Sequence, residues 1–278
     1  MKKVLFILFI SFIGLIEGQS TASSYYQAPD GMTNYDDDVM SAITKKYNSK
    51  VRPVSQLNLT IRLSMRQIVS IDEKNQIMTS SFYLISQWKD GRLTWDANSS
   101  TYGGLSQIVM PASLIWLPDL FVINTASTIG FISISSSNLV VVNSQGNVYL
   151  IVSVTNLQTR CKMNVYYFPF DKQTCSIVIG SWQHDKNRIN FDSDSSKIDL
   201  NSYIAHPVWN LKTVTVSSII GSDRYTSLTG MQSEDISYSF MIIRGGSYYV
   251  GNMIACFVLN VVTLFAFFAP FAQQVALC

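Results

Sequence analysis

Beyond Arg244 the chain runs to Cys278 without a single Asp, Glu, Lys, Arg or His. Within that stretch, Tyr248 to Phe271 is dominated by Val, Leu, Ile, Phe, Met and Ala. At ~1.5 Å per helical residue, about twenty such residues cross a hydrocarbon core of roughly 30 Å. A buried core helix of a soluble protein is the competing reading, and a charge-free run of this length disfavours it. One transmembrane helix is therefore expected over 245–271, with a short stub at 272–278. Asn252 and Asn260 interrupt the span. An unsatisfied amide is costly in lipid, so both are expected to face protein.

The opposite end carries Met1-Lys2-Lys3, then an almost wholly apolar run from Val4 to Ile16, then small or polar residues from Gly18 to Ser20. A positive start, a short apolar core and a small-residue exit read as a secretory signal peptide over 1–18. The run is shorter than the ~20 residues that a spanning helix needs. Residues 19–244 are left for one extracellular domain, in a compartment where disulfides persist. Asn58-Leu59-Thr60 and Asn98-Ser99-Ser100 are glycosylation sequons for that compartment. The formal charge of +2, with 14% charged residues, offers no basic surface for nucleic acid.

Cys161 and Cys175 bracket thirteen residues that include Phe168-Pro169-Phe170-Asp171. Two thiols this close in a secreted chain can close a small covalent ring, which restricts the unfolded chain by about 3 kcal/mol for a loop of about fifteen residues. Cys256 lies in the apolar span and Cys278 is the last residue, so Cys161–Cys175 is the expected bridge. Pro169, between two aromatics, suits a cis bond and a sharp turn.

The middle is β-rich. Leu57, Leu59, Ile61, Leu63 and Met65 alternate with Asn58, Thr60, Arg62, Ser64 and Arg66, the period of a half-buried strand. Ile236, Tyr238, Phe240 and Ile242 repeat the pattern near the end of the domain. Shorter β-rich runs lie at Met78–Ser86, Val148–Val154 and Thr174–Ser181. Asp36 to Tyr47 reads as a short amphipathic helix, acidic at its start, with Lys45-Lys46 at its end and Val39, Ile43 and Tyr47 as its apolar stripe. The expected fold class is mainly β: an extracellular β-sandwich with a short N-terminal helix, followed by one transmembrane helix.

Asp72-Glu73-Lys74-Asn75-Gln76, Trp88, Trp95, Tyr102-Gly103-Gly104, Trp116-Leu117-Pro118-Asp119, the cysteine-bracketed loop, Gly180-Ser181-Trp182 and Arg244 follow one another in order. In that order and spacing the chain resembles the Cys-loop ligand-gated ion channels, the family that includes the nicotinic acetylcholine receptors, over roughly Tyr47 to Cys278. The resemblance implies five subunits around a pore, each with four transmembrane helices, and a ligand held between neighbouring subunits. It also implies a plasma-membrane, postsynaptic location, other subunits of the family as partners, and a small cationic neurotransmitter such as acetylcholine as ligand. A soluble or pore-less ligand-binding protein on the same sandwich is the alternative reading.

In that family the ligand site is an aromatic box, because ring faces attract a quaternary ammonium. By resemblance, Trp182 matches the central cation-contacting Trp. Tyr83 stands where the complementary face usually has Trp, and Ile123 where the principal face usually has Tyr. The hairpin from Ser222 to Ser233 lacks the adjacent cysteines of acetylcholine-binding subunits and offers only Tyr225. This pattern fits a non-alpha subunit without the full principal face. For coupling, the resemblance makes Glu73 and Asp171 partners of Arg244, beside Phe168, Pro169 and Phe170 at the membrane. Ala255 replaces a proline common in the first helix, and Gln273-Gln274 stands where cation channels carry a Glu-Lys pair. The sequence stops where the pore-lining helix should begin, so it is expected to contain no pore.

Other clusters carry less. Asp192, Asp194 and Asp199 lack the glycine and bidentate glutamate of a calcium loop. His184 and His206, without a Cys or carboxylate cluster, do not make a zinc site. No nucleophile elbow, P-loop or dinucleotide fingerprint is present, so neither enzyme chemistry nor a cofactor or metal is expected.

Overall fold

The structure is a computed structural model, and it describes residues 35–128, 130–135, 137–192, 198–222 and 232–275. The proposed signal peptide, Asp194, Tyr225 with most of its hairpin, and Cys278 lie outside these residues. Helix α1 spans Tyr35–Thr44 and buries Val39 and Ile43, as the four-residue spacing requires. It ends earlier than the sequence pattern implies. Lys45 and Lys46 form a turn beyond it, so they do not cap its last turn. Tyr47, past that turn, instead directs its hydroxyl to Asp90 at 2.7 Å.

Among the described residues ten strands follow: β1 (Leu57–Asp72), β2 (Ile77–Lys89), β3 (Gln107–Pro111), β4 (Leu120–Val122), β5 (Leu139–Asn143), β6 (Asn147–Arg160), β7 (Lys172–Ser181), β8 (Ile189–Phe191), β9 (Trp209–Ser222) and β10 (Ser233–Arg244). They form a six-stranded sheet in the order β3-β5-β6-β2-β1-β8 and a four-stranded sheet in the order β4-β7-β10-β9. The alternating residues of β1 are the core: Leu57, Leu59, Ile61, Leu63 and Met65 are all buried, facing Ile236, Tyr238, Phe240 and Ile242 of β10 within one apolar cluster. Tyr238 crosses between the sheets and donates its hydroxyl to Ile61 O at 3.0 Å, which satisfies a phenol that could not otherwise be buried without cost.

Two ties link the sheets and their loops at one end. Cys161, just past β6 of the larger sheet, is bonded to Cys175 within β7 of the smaller one. The Phe168–Pro169 bond inside that loop is cis, as its aromatic setting suggested. Cys161 N also donates to Gln76 O at 2.8 Å, tying the loop to the β1–β2 turn.

Helix α2 spans Ser247–Val275, so helical backbone continues past the expected end at residue 271. Tyr249–Phe267 is long and apolar enough to cross a membrane, and none of it is buried against the rest of the chain. A core helix would be covered by its own protein. This one presents Phe257, Leu259, Leu264, Phe265 and Phe267 outward, more than half exposed each. Asn252 and Asn260 are exposed with them, and nothing in the described chain covers either side chain.

Candidate functional site

Two clusters emerge. The first gathers at the end of the sandwich from which α2 departs. Arg244, the last residue of β10, is 1% exposed at its side chain. Its Nε donates to Asp171 Oδ1 at 2.6 Å and its Nη2 to Asp171 Oδ2 at 3.1 Å, the two-pronged pairing that a guanidinium makes with a carboxylate. Nη1 donates to Glu73 Oε1 at 2.5 Å and to the Tyr249 hydroxyl at 3.4 Å. The guanidinium also lies 4.2 Å from the centre of the Trp209 ring and 5.0 Å from that of Phe168. A buried cation is tolerable only when its hydrogen bonds are met, and here they are met by two carboxylates, a phenol and aromatic faces.

Four chain segments thus converge on one side chain: the β1–β2 turn, the disulfide loop, the start of β9 and the first turn of α2. Glu73, Asp171, Phe168 and Arg244, drawn together in the sequence only by resemblance, are in contact. Phe170 lies over Gly246, where any Cβ would come within 2.7 Å of its ring, so the glycine permits the loop to close on the helix. Pro169 is buried between these two aromatics. Trp209, Gln173 and Tyr249 were not singled out in the sequence. Trp209 is opposite Arg244 in the β9–β10 register, and only that register reveals it. Gln173 donates to Asp171 Oδ2 at 2.6 Å and had a weak signal, since it lies two residues along the same strand face.

Burial alone would raise the Asp171 carboxyl, but the bonds from Arg244 and Gln173 hold it below the ordinary carboxylate value. Burial likewise would lower Arg244, and its bonds to Asp171, Glu73 and Tyr249 push it the other way, above the usual arginine value.

The second cluster surrounds Trp182, at the end of β7. Asp119 organises it. Its Oδ1 accepts from Ser181 Oγ at 2.7 Å and lies 3.1 Å from His184 Nδ1, while its Oδ2 accepts from Gln183 N at 2.7 Å. Trp182 N donates to Asp119 O at 3.2 Å. The two sequence motifs ending at Asp119 and Trp182 are therefore one hydrogen-bonded unit. Desolvation would raise the Asp119 carboxyl, but His184, Ser181 and the Gln183 amide keep it below its ordinary value.

The rings around Trp182 differ from those expected. Phe121 packs against it at 4.5 Å between centroids and Phe131 at 6.0 Å, with Phe121 and Phe131 4.9 Å apart. Neither phenylalanine was a sequence candidate. Phe121 could have been found, because it lies between core residues Leu120 and Val122 and so must point to the outer face of β4. Ile123 is half-buried two residues along, its amide bonded to Val178 O. Tyr83 stands on β2 of the other sheet, with the Arg66 guanidinium 5.2 Å from its ring centre. One chain therefore holds Trp182 and Tyr83 on separate sheets. The sequon residues Asn58 and Asn98 are both exposed.

The sequence that builds this sandwich is similar to known proteins. The neurotransmitter-gated ion-channel ligand binding domain family matches residues 36–245. The chain belongs to this family. It is 32% identical over 229 residues to the acetylcholine receptor subunit alpha of Danio rerio, covering 81% of this chain and 49% of that one. It is 28% identical over 253 residues to the neuronal acetylcholine receptor subunit alpha-2 of Homo sapiens, with coverages of 88% and 46%. With the neuronal acetylcholine receptor subunit non-alpha-2 of Carassius auratus it shares 29% over 271 residues, 96% and 55%. The chain spans about half the length of the curated relatives it matches.

The pH dependence of stability follows from the shifted groups of this ligand-binding domain. Asp90, Asp119 and Asp171 are depressed when folded, so their contribution is complete above the unfolded value near pH 4 and is lost as pH falls through the lower folded values. His206, lowered by burial, accepts from the amides of Val208 and Trp209 in its neutral form. Its contribution is present above its unfolded value near 6.5 and declines as pH falls below it. Thermal unfolding of the purified chain should show a shallow loss below about pH 6.5 and a steep one below about pH 4. In His206→Asn the shallow step should be absent.

Proposed function

We propose that the chain is a subunit, or part of one, of a pentameric extracellular ligand-gated ion channel at the plasma membrane, contributing the ligand-binding domain and transmitting binding to the gate. The observation that carries this reading is the Arg244 cluster. It joins the disulfide loop and the β1–β2 turn to the first turn of a helix that carries no charged residue, so displacement of the sandwich is passed to the membrane through a few short, charge-assisted bonds. The partners are other subunits of the same family, and the ligand is a small molecule held between the Trp182 side of one subunit and the Tyr83 side of the next. The relatives named as acetylcholine receptor subunits support an extracellular transmitter as that ligand.

A soluble protein on the same sandwich predicts secretion, and the uncovered face of α2 argues against it. Expressed in animal cells, the chain should stay in the membrane pellet after alkaline carbonate extraction. Solubilised gently, it should co-purify as a five-chain assembly, alone or with other family subunits. Recovery of the product in the medium as a monomer would sink the proposal.

A further inference from the structure

We infer that Asn98 carries an N-linked glycan whose first sugar seats in the cleft between helix α1 and the loop after β2, fastening the helix to the sandwich. This holds whether or not the chain joins a pore. It requires only that the domain passes through the secretory compartment, where such glycans are attached.

The cleft has a volume of about 480 Å³. Lys45, Lys46 and Tyr47, just past α1, line it together with Trp95, Asp96 and Tyr102 of the loop. Three aromatic rings and three charged groups therefore border one space. A sugar ring suits such a mixture, because it lays its C–H groups on an aromatic face and bonds its hydroxyls to polar groups at the rim. An apolar ligand would leave the charged groups unanswered. A plain anion would meet Asp96 as well as the lysines and make no use of the rings.

The groups that would meet a sugar are available. Among the described residues the ammonium groups of Lys45 and Lys46 and the hydroxyl of Tyr102 have no partner. The Trp95 N–H is already spent on Leu105 O at 2.8 Å, which fixes the indole and leaves its ring as the contact it can offer. Helix α1 has reason to gain from a second attachment. It is ten residues long and buries only Val39 and Ile43, and a short helix with few buried contacts opens easily.

Asn98 stands within reach. It lies two residues from Asp96 and four from Tyr102, both of them walls of the cleft, and two residues span at most about 7 Å. The loop holds it there. Asp96 Oδ1 accepts from Asn98 N at 3.0 Å, Asp96 O from Ser99 N at 3.2 Å, and Ser99 O from Tyr102 N at 3.1 Å. Its side chain is exposed and makes no hydrogen bond among the described residues. The other sequon differs: Asn58 Oδ1 accepts from Asn190 Nδ2 at 3.3 Å, and Asn58 is not a wall of the cleft. Attachment at Asn98 joins its Nδ2 to the anomeric carbon of a lipid-pyrophosphate-linked oligosaccharide. The bond from that carbon to the pyrophosphate oxygen breaks, the amide gives up one proton, and the lipid pyrophosphate leaves.

The test uses the full chain, expressed in animal cells that keep their glycans in high-mannose form and purified in lipid nanodiscs. Peptide mass mapping should find a glycan on Asn98. Hydrogen exchange is then compared among the intact protein, the same protein trimmed to one sugar by an endoglycosidase, and Ser100→Ala, which removes the sequon and leaves Asn98 in place. Exchange over residues 35–47 should be about threefold or more faster in Ser100→Ala than in the intact protein. The trimmed protein should match the intact one, because its first sugar remains. Asn58→Gln should leave this region unchanged. Should Ser100→Ala not fold, an amidase that strips the whole glycan from the folded protein gives the same comparison. An unmodified Asn98 overturns the inference. So does exchange that is equal with and without the glycan, and so does a trimmed protein that opens as fast as the sugarless one.

Discussion

Arg244→Glu is expected to abolish delivery of the protein to the cell surface. Removing one member of a buried, hydrogen-bonded ion pair costs about 3–5 kcal/mol, which is a large share of the ~5–15 kcal/mol that keeps a domain folded. Charge reversal is worse than removal, since it adds a third carboxylate beside Asp171 and Glu73 in a site that is 1% exposed on the arginine side. The loss should be graded. Arg244→Lys retains the charge but not the two-pronged bond to Asp171, so it should fold and reach the surface at reduced level. Compensation separates a coupling role from a merely structural one. Glu73, 34% exposed, can change sign at lower cost than the buried Asp171, so Glu73→Arg in the Arg244→Glu background should recover more than Asp171→Arg. The measurements are surface labelling and, in an assembled channel, agonist-evoked current normalised to surface protein. Should neither double variant exceed the single one on either scale, the assignment of these residues to transmission is wrong.

The second large effect belongs to the disulfide. Cys161→Ser is expected to destabilise the sandwich by about 2–5 kcal/mol. For a domain of about two hundred residues, each kcal/mol moves the unfolding midpoint by roughly 2–4 °C, so a fall of at least about 4 °C should be visible. Position makes the upper part of that range the better expectation. The bond joins the end of β6 to β7, one strand from each sheet, and both sulfur-bearing residues are buried. It also anchors the loop that holds Asp171 against Arg244. Cys161→Ser should therefore weaken the Arg244 cluster as well as the fold, and differential hydrogen exchange should rise at Asp171 to Gln173 and at Gly245 to Tyr249 before the central strands respond. An unfolding midpoint equal to that of the unmodified chain would remove the structural role proposed for the bridge.

Much of the architecture was legible in the residues. The two-residue period of Leu57 to Met65 and of Ile236 to Ile242 specifies which side chains face a shared core, because a strand turns successive side chains to opposite faces whatever its neighbours are. The charge-free run after Arg244 specifies a helix that suits lipid, because an unpaired charge or an open backbone group is costly there. Cys161 and Cys175 lie close enough along the chain to pair across a short loop, so their bond follows from spacing and compartment. These are local properties, and local chemistry dictates them.

What the sequence left open depends on register and on which strands become neighbours. Trp209 meets Arg244 because β9 and β10 pair with those two residues opposite each other, across more than thirty positions of sequence. Phe121 covers Trp182 because β4 joins the edge of β7, placing Phe121 opposite Gly180, a residue without a side chain to hold the ring away. Arg66 meets Tyr83 through the β1–β2 ladder, although nothing in its alternating run distinguishes it from Arg62. Helix α1 stops at Thr44, ahead of the basic pair Lys45-Lys46, and Tyr47 beyond it is held by Asp90 and Arg92, which lie more than forty positions along the chain. By itself the sequence determined the kinds of element, the faces they bury and a helix long and apolar enough to cross a membrane. The tertiary structure alone decided which aromatic and charged groups meet, because those contacts arise between residues far apart in the chain, where the free energy of packing and paired charge outweighs any local preference.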